Sequence, residues 1–231
     1  MGPITVEKWF MTELLPILDD AKNILIKGGK ENDADPAFAE WWAIFTKDTF
    51  SLFEIIEKEN QTRQFAMTVR SLMEFAADVS FFSKYPKNID RQKKKSEKFI
   101  NSKNRFTYKD IAIESKKYKL VKYNGNKAGD LVRTEDRIKM AFSENAATLY
   151  DYLNCFTHFN IFGIRIDLNI QQAKDDSMLQ ERLLMIQFYP EIFEVMTTSI
   201  GNLCGIEELK HYDFSPINNL FKNVDTQWRL A

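Results

Sequence analysis

The sequence predicts an all-α fold, an antiparallel bundle of five to seven helices with a basic insertion. Three observations predict it. Gly and Pro number 8 and 6 in 231 residues, roughly half their usual frequency. Few turn-formers favour long helices over many short strands. Apolar residues then recur three and four apart along nearly the whole chain. Finally, the charge is segregated. Residues 84–133 hold 16 Lys+Arg and 5 Asp+Glu, net +11, whereas residues 1–83 and 134–231 each hold 8 and 14, net -6. The formal net charge of -1 is therefore a cancellation.

The first helix carries Trp9, Leu14, Leu15, Leu18, Ile24 and Leu25 on one stripe, with Pro16 as a kink and Gly28-Gly29 as its stop. Asp35-Pro36 is an N-cap followed by Pro at the first helical position. It opens a helix with Phe38, Trp41, Trp42, Phe45, Phe50, Phe53 and Ile56. The third helix, from about 61 to 84, puts Phe65, Val69, Leu72, Met73, Ala76 and Val79 on one stripe, and Tyr85-Pro86 stops it. The insertion, about 87–132, starts one short helix at 88–90 and another at 107–110, with loop chemistry at 124–129. Thr134-Glu135-Asp136 opens a long helix, acidic in its first turn as the macrodipole favours. It carries Ile138, Phe142, Leu149, Leu153 and Phe156 and ends near Phe162-Gly163. Residues 178–198 form another helix, kinked at Pro190. Gly201 and Gly205 loosen the chain, and a short helix covers 215–221.

A chain of this length with 44% apolar residues buries a sizeable core as one helical domain without disulfides. Cys155 and Cys204 read as buried thiols of a reducing compartment. No run of 18 apolar residues spans a membrane. The N-terminus matches neither a signal peptide nor a myristoylation signal, so the expected location is cytoplasmic. Gly-rich phosphate loops, the Gly-x-Ser-x-Gly elbow and Cys-x-x-Cys pairs are missing. With 2 His, a His-rich zinc site cannot be built. Cys155-x-x-His158 and the single Glu208-x-x-His211 fall short of the paired motifs of helical di-iron sites. No metal and no cofactor is expected.

Two patterns carry candidate chemistry. The first is the basic middle: Arg91, Lys93, Lys94, Lys95, Lys98, Lys103, Arg105, Lys116, Lys117 and Lys119, interleaved with Phe99, Phe106, Tyr108, Tyr118 and Tyr123. Cations beside stacking faces suit a phosphate backbone with unstacked bases, so RNA or another polyanion is the candidate partner. A solvated helix face neutralised by the acidic flanks is the alternative. The second pattern is polar stripes. Arg70, Glu74 and Asp78 recur every four residues on the third helix, either as a surface ladder or as an internal cleft. Asp151, Asn154 and His158 share a face of the later helix, flanked by Tyr150 and Tyr152. His158 reads as a packing histidine or as a general acid/base, with Arg70 stabilising anionic charge. His211 reads as an exposed capping or loop residue.

Arg70-Ser-Leu-Met-Glu74, ending at Tyr85-Pro86, followed by Tyr150-Asp-Tyr-Leu-Asn-Cys-Phe-Thr-His158-Phe-Asn160, resembles HEPN-like helical proteins of bacteria. The resemblance implies a helical bundle, often a homodimer, in a defence or toxin–antitoxin setting. Active HEPN ribonucleases are metal-independent and use an Arg followed after four to six residues by His on one helix. Only His158 transfers to that motif, because the Arg positions hold Asp151, Tyr152 and Leu153. Members without the motif act by binding. Three expectations follow: binding of RNA or a nucleotide, a helical adaptor working through protein contacts, or a metal-independent ribonuclease using His158. The Trp41-Trp42 pair fits a large core or a homodimer face equally.

Overall fold

The structure, a computed structural model, describes residues 5–56, 61–102, 107–115, 119–125, 127–157 and 175–222. Its class is all-α, with a small antiparallel hairpin among the described residues. Helix α1 (Val6–Trp9) runs through a π turn (Phe10–Leu14) into α2 (Leu15–Glu31). Pro16 has no N–H for the carbonyl of Thr12 and its ring crowds that carbonyl. The π turn just before it gives the extra room, with the Leu15 N–H reaching back five residues to the Phe10 carbonyl. The expected stop at Gly28-Gly29 is overturned. Gly28 is buried inside α2 against Ile206, and the helix ends at Asn32, whose amide donates to the Cys204 and Gly205 carbonyls at 3.2 and 3.0 Å.

Helix α3 (Ala37–Ile55) starts where expected, the Ala37 N–H donating to Asp35 Oδ1 at 3.0 Å. Helix α4 (Thr62–Lys84) is the central element, packed by α3 and most extensively by four of the later helices. These are α7 (Thr134–Ala141), α8 (Glu144–Thr157), α9 (Asp175–Ile186) and α10 (Tyr189–Cys204). Two expected long helices are each broken. Ser143 separates α7 from α8: its Oγ caps the Ala146 N–H at 3.3 Å. Its own N–H and hydroxyl donate to Glu191 at 2.5 and 2.9 Å. The expected end of that helix, near 162–163, lies outside the described residues. Pro190 starts α10 rather than kinking a longer helix, because its missing N–H is one of the unpaired donors of a first turn.

The short helices α11 (Glu207–Lys210) and α12 (Ser215–Lys222) come last among the described residues. Gly201 and Gly205 tighten this region rather than loosen it. A Cβ on Gly201 would sit 2.8 Å from Leu209 Cβ, and Gly205 caps α10 at φ 67°. One apolar cluster runs from Val6 to Phe221, with the Trp9 ring edge-on to Phe221 at 5.8 Å. Tyr189 is buried at its centre and shares a 3.0 Å hydrogen bond with Thr49. Cys204 is buried, but Cys155 is only half-buried, since it stands one turn beyond the exposed Asp151. Among the described residues no helix is long and apolar enough to cross a membrane.

The insertion leaves the bundle at Pro86 as α5 (Lys87–Asn101). It continues as α6 (Tyr108–Ser115), β1 (Val121–Asn124) and β2 (Lys127–Leu131). Thr107 and Asp110 cap α6 reciprocally. The loop chemistry read at 124–129 falls on the hairpin instead: Asn124 ends β1 and pairs with Lys127, the first residue of β2, and Gly125 after it has φ 60°. The Val132 N–H donates to the Leu120 carbonyl at 2.9 Å. Phe81, Phe82, Leu120 and Val132 form a second apolar cluster, with Trp41 and Ile89 against it.

Candidate functional site

The stripe of α4 opposite its apolar face packs against α7 and α8, where Arg70, Glu74 and Asp78 are half-buried, and Asp78 also lines a cleft. Glu74 is its hinge. Arg70 Nε lies 2.9 Å from Glu74 Oε1, and the Tyr150 hydroxyl of α8 donates to the same oxygen at 2.7 Å. The Arg70 guanidinium also sits 5.5 Å from the centre of the Tyr150 ring and donates to its hydroxyl at 3.4 Å. Burial, then the hydrogen bond to Glu74, pushes the Tyr150 phenol up to about 12, so it serves as a neutral donor.

One turn on, Asp78 meets Arg137 of α7 at 2.5 Å. The other Arg137 nitrogens donate to the Val132 carbonyl at 3.0 Å and Thr134 Oγ1 at 3.2 Å. Burial raises the Asp78 carboxyl above its usual range, and Arg137 opposes that shift. A second carboxylate–phenol contact ties α8 to α9, with the Tyr152 hydroxyl donating to Glu181.

The structure thus brings Arg70, Glu74 and Tyr150 together. Asn154 stands half-buried one turn along α8 from Tyr150, and Asp151 points to solvent. His158 lies outside the described residues. His211 is exposed at the end of α11, with Nε2 3.7 Å from Glu207.

The basic residues divide into two groups. Some hold the insertion together. Lys87 donates to the Gly125 carbonyl at 3.0 Å and sits 5.9 Å from the Tyr123 ring centre. Arg91 donates to the Lys119 carbonyl at 3.3 Å, and Lys93 is paired with Asp35. Lys95 is half-buried. Others face solvent: among the described residues Lys94, Lys98, Lys109, Lys119, Lys122, Lys127 and Arg133 are exposed and no carboxylate pairs with them. Lys103, Arg105, Lys116 and Lys117 lie outside the described residues.

Sequence reasoning missed Asn88. It is 1% exposed, and its amide donates to the Tyr85 carbonyl at 3.1 Å and the Val121 carbonyl at 3.0 Å. It also accepts the Val121 N–H at 3.2 Å. One side chain therefore fixes the hairpin to the first turn of α5. Beside it a cleft of about 610 Å³ opens between α4 and the hairpin, lined by Trp41, Phe82, Gln92, Lys119, Arg133 and Arg137. Sequence reasoning missed this too, because its walls come from five separate stretches of the chain. Among the described residues no three metal-ligating side chains converge. No family model matches the sequence, and no curated protein or solved structure matches it either.

Proposed function

We propose that the protein binds single-stranded RNA through the cations of the insertion. The observation that carries this reading is the unpaired set of Lys94, Lys98, Lys119 and Arg133 among the described residues, concentrated on one +11 segment of an otherwise acidic chain. Cations already held by Asp35 or by backbone carbonyls serve the fold. Those four, with the equally exposed Lys109, Lys122 and Lys127, remain available to phosphate oxygens. The resemblance to HEPN-like proteins supports the same reading. So does the engagement of Arg70, Glu74 and Tyr150 with one another, which suits a structural role better than a reactive one. Fluorescence anisotropy with a labelled single-stranded oligoribonucleotide tests it. The Lys94→Glu/Lys98→Glu variant is expected to bind at least ~10-fold more weakly than the wild type at low salt. Equal affinity refutes the assignment.

A second reading, the adaptor, is favoured by α6, whose Tyr108, Ile111 and Ile113 are 91%, 44% and 50% exposed. Such an apolar face suits a protein partner, including a second copy of the chain. Light scattering that shows a monomer removes the homodimer. The ribonuclease reading stands on His158, and unchanged RNA cleavage by His158→Ala removes it.

A further inference from the structure

We infer that the furrow between α5 and the α3–α4 pair holds one unstacked nucleotide of a single strand, its base on the Trp41 indole and its phosphate against Lys119 and Arg133. This rests on the RNA reading above. Two clefts, of about 610 and 300 Å³, meet at Trp41, Phe82 and Gln92 and run along one side of α5. Volumes of this order suit small ligands. The chemistry changes along the furrow. Trp41 is half-buried, backed by Phe82 at 5.7 Å and by Phe38 at 5.2 Å, so its indole is held rigid while part of it stays open. A fixed aromatic face is a platform for any base.

Gln92 lines both clefts, and its amide offers a donor and an acceptor to a base edge. The larger cleft is cationic. Asp78 is its carboxylate among the described residues, and Arg137 already takes it. Lys119 and Arg133 therefore leave an uncompensated positive charge of two at the mouth. An acidic peptide would match that charge, but it has no use for an indole platform with an amide beside it. A strand that alternates phosphate and base matches both.

The test uses the full-length protein, an oligouridylate, a phosphate–spacer strand of the same length without bases, and polyglutamate. Trp41→Leu is expected to weaken oligouridylate binding about 10- to 100-fold. Trp41→Phe retains most of the affinity, and the base-free strand binds both variants and wild type alike. Ultraviolet crosslinking of a 4-thiouridine strand to wild-type protein is expected to mark the Trp41 or Gln92 peptide. That result stands even if Trp41→Leu fails to fold.

If wild type binds RNA but Trp41→Leu binds it equally, or the crosslinks fall elsewhere, the furrow assignment is overturned while RNA binding remains. Polyglutamate competing as well as oligouridylate overturns it in favour of an acidic peptide. No RNA binding by wild type overturns both readings.

Discussion

Replacing Asn88 by Ala loosens the hairpin from the first turn of α5. The wild-type amide makes three hydrogen bonds at 3.0–3.2 Å, two of them to the backbone of Val121, which is 4% exposed. Ala removes all three and leaves a buried N–H and C=O of Val121 without this partner. A buried group left unpaired costs about 1–3 kcal/mol, so the two together cost about 3 kcal/mol. The second apolar cluster still anchors the hairpin through Leu120 and Val132, so the loss is local opening rather than global unfolding. An opening constant raised by about 3 kcal/mol is raised roughly 100-fold. Hydrogen exchange followed by mass spectrometry reads it as lost protection of the peptide over residues 119–132, with the α4 and α10 peptides unchanged. Asn88→Asp keeps the acceptor but aims a carboxylate at the Tyr85 and Val121 carbonyls, and it opens the hairpin at least as much at pH 7. Unchanged exchange over 119–132 in Asn88→Ala refutes the reasoning.

Gly201→Ala places a Cβ 2.8 Å from Leu209 Cβ and 2.9 Å from the Lys210 nitrogen, whereas at Gly205 the nearest atom is 3.9 Å away and the strain is φ 67° alone. Overpacking costs about 1–3 kcal/mol and a single left-handed non-Gly residue about 1 kcal/mol. Thermal melts are therefore expected to rank Gly201→Ala below Gly205→Ala, and the reverse order contradicts the packing. The raised Tyr150 phenol binds its proton more tightly folded than unfolded, so its contribution is full below pH 10 and is lost as pH climbs toward about 12. Over that window wild type loses about 2 kcal/mol more than Tyr150→Phe. Equal losses in denaturant melts at pH 9 and pH 12 contradict the Glu74–Tyr150 geometry.

Local signals carried most of the element pattern. Asp35-Pro36, the α4 stripe and the cap of α6 are short-range chemistry, and each element starts where that chemistry places it. The errors came from reading interruptions by type rather than by partner. Gly28 and Gly201 look like breakers, but Ile206 and Leu209 pack where their side chains would be. Ser143 looks like a helix-interior residue until Glu191, 48 residues away, captures it. Asn124-Gly125 carried a hairpin signal that the surrounding charge obscured. The candidate site was legible as a list of cations but not as a division of labour. Which lysines face solvent depends on Asp35 and on the Gly125 carbonyl, and no spacing rule links those to Lys93 and Lys87. The partner of Asp78, Arg137, is likewise 59 residues distant.

The salt dependence of RNA binding tests the central claim most directly. A single strand that neutralises four of the solvent-facing cations, Lys94, Lys98, Lys119 and Arg133, releases counterions in proportion, and log K against log salt is expected to fall with a slope of about -3. In Lys94→Ala/Lys98→Ala the slope halves to about -1.5. No binding by wild type at low salt, or a slope that the double variant leaves unchanged, contradicts the account.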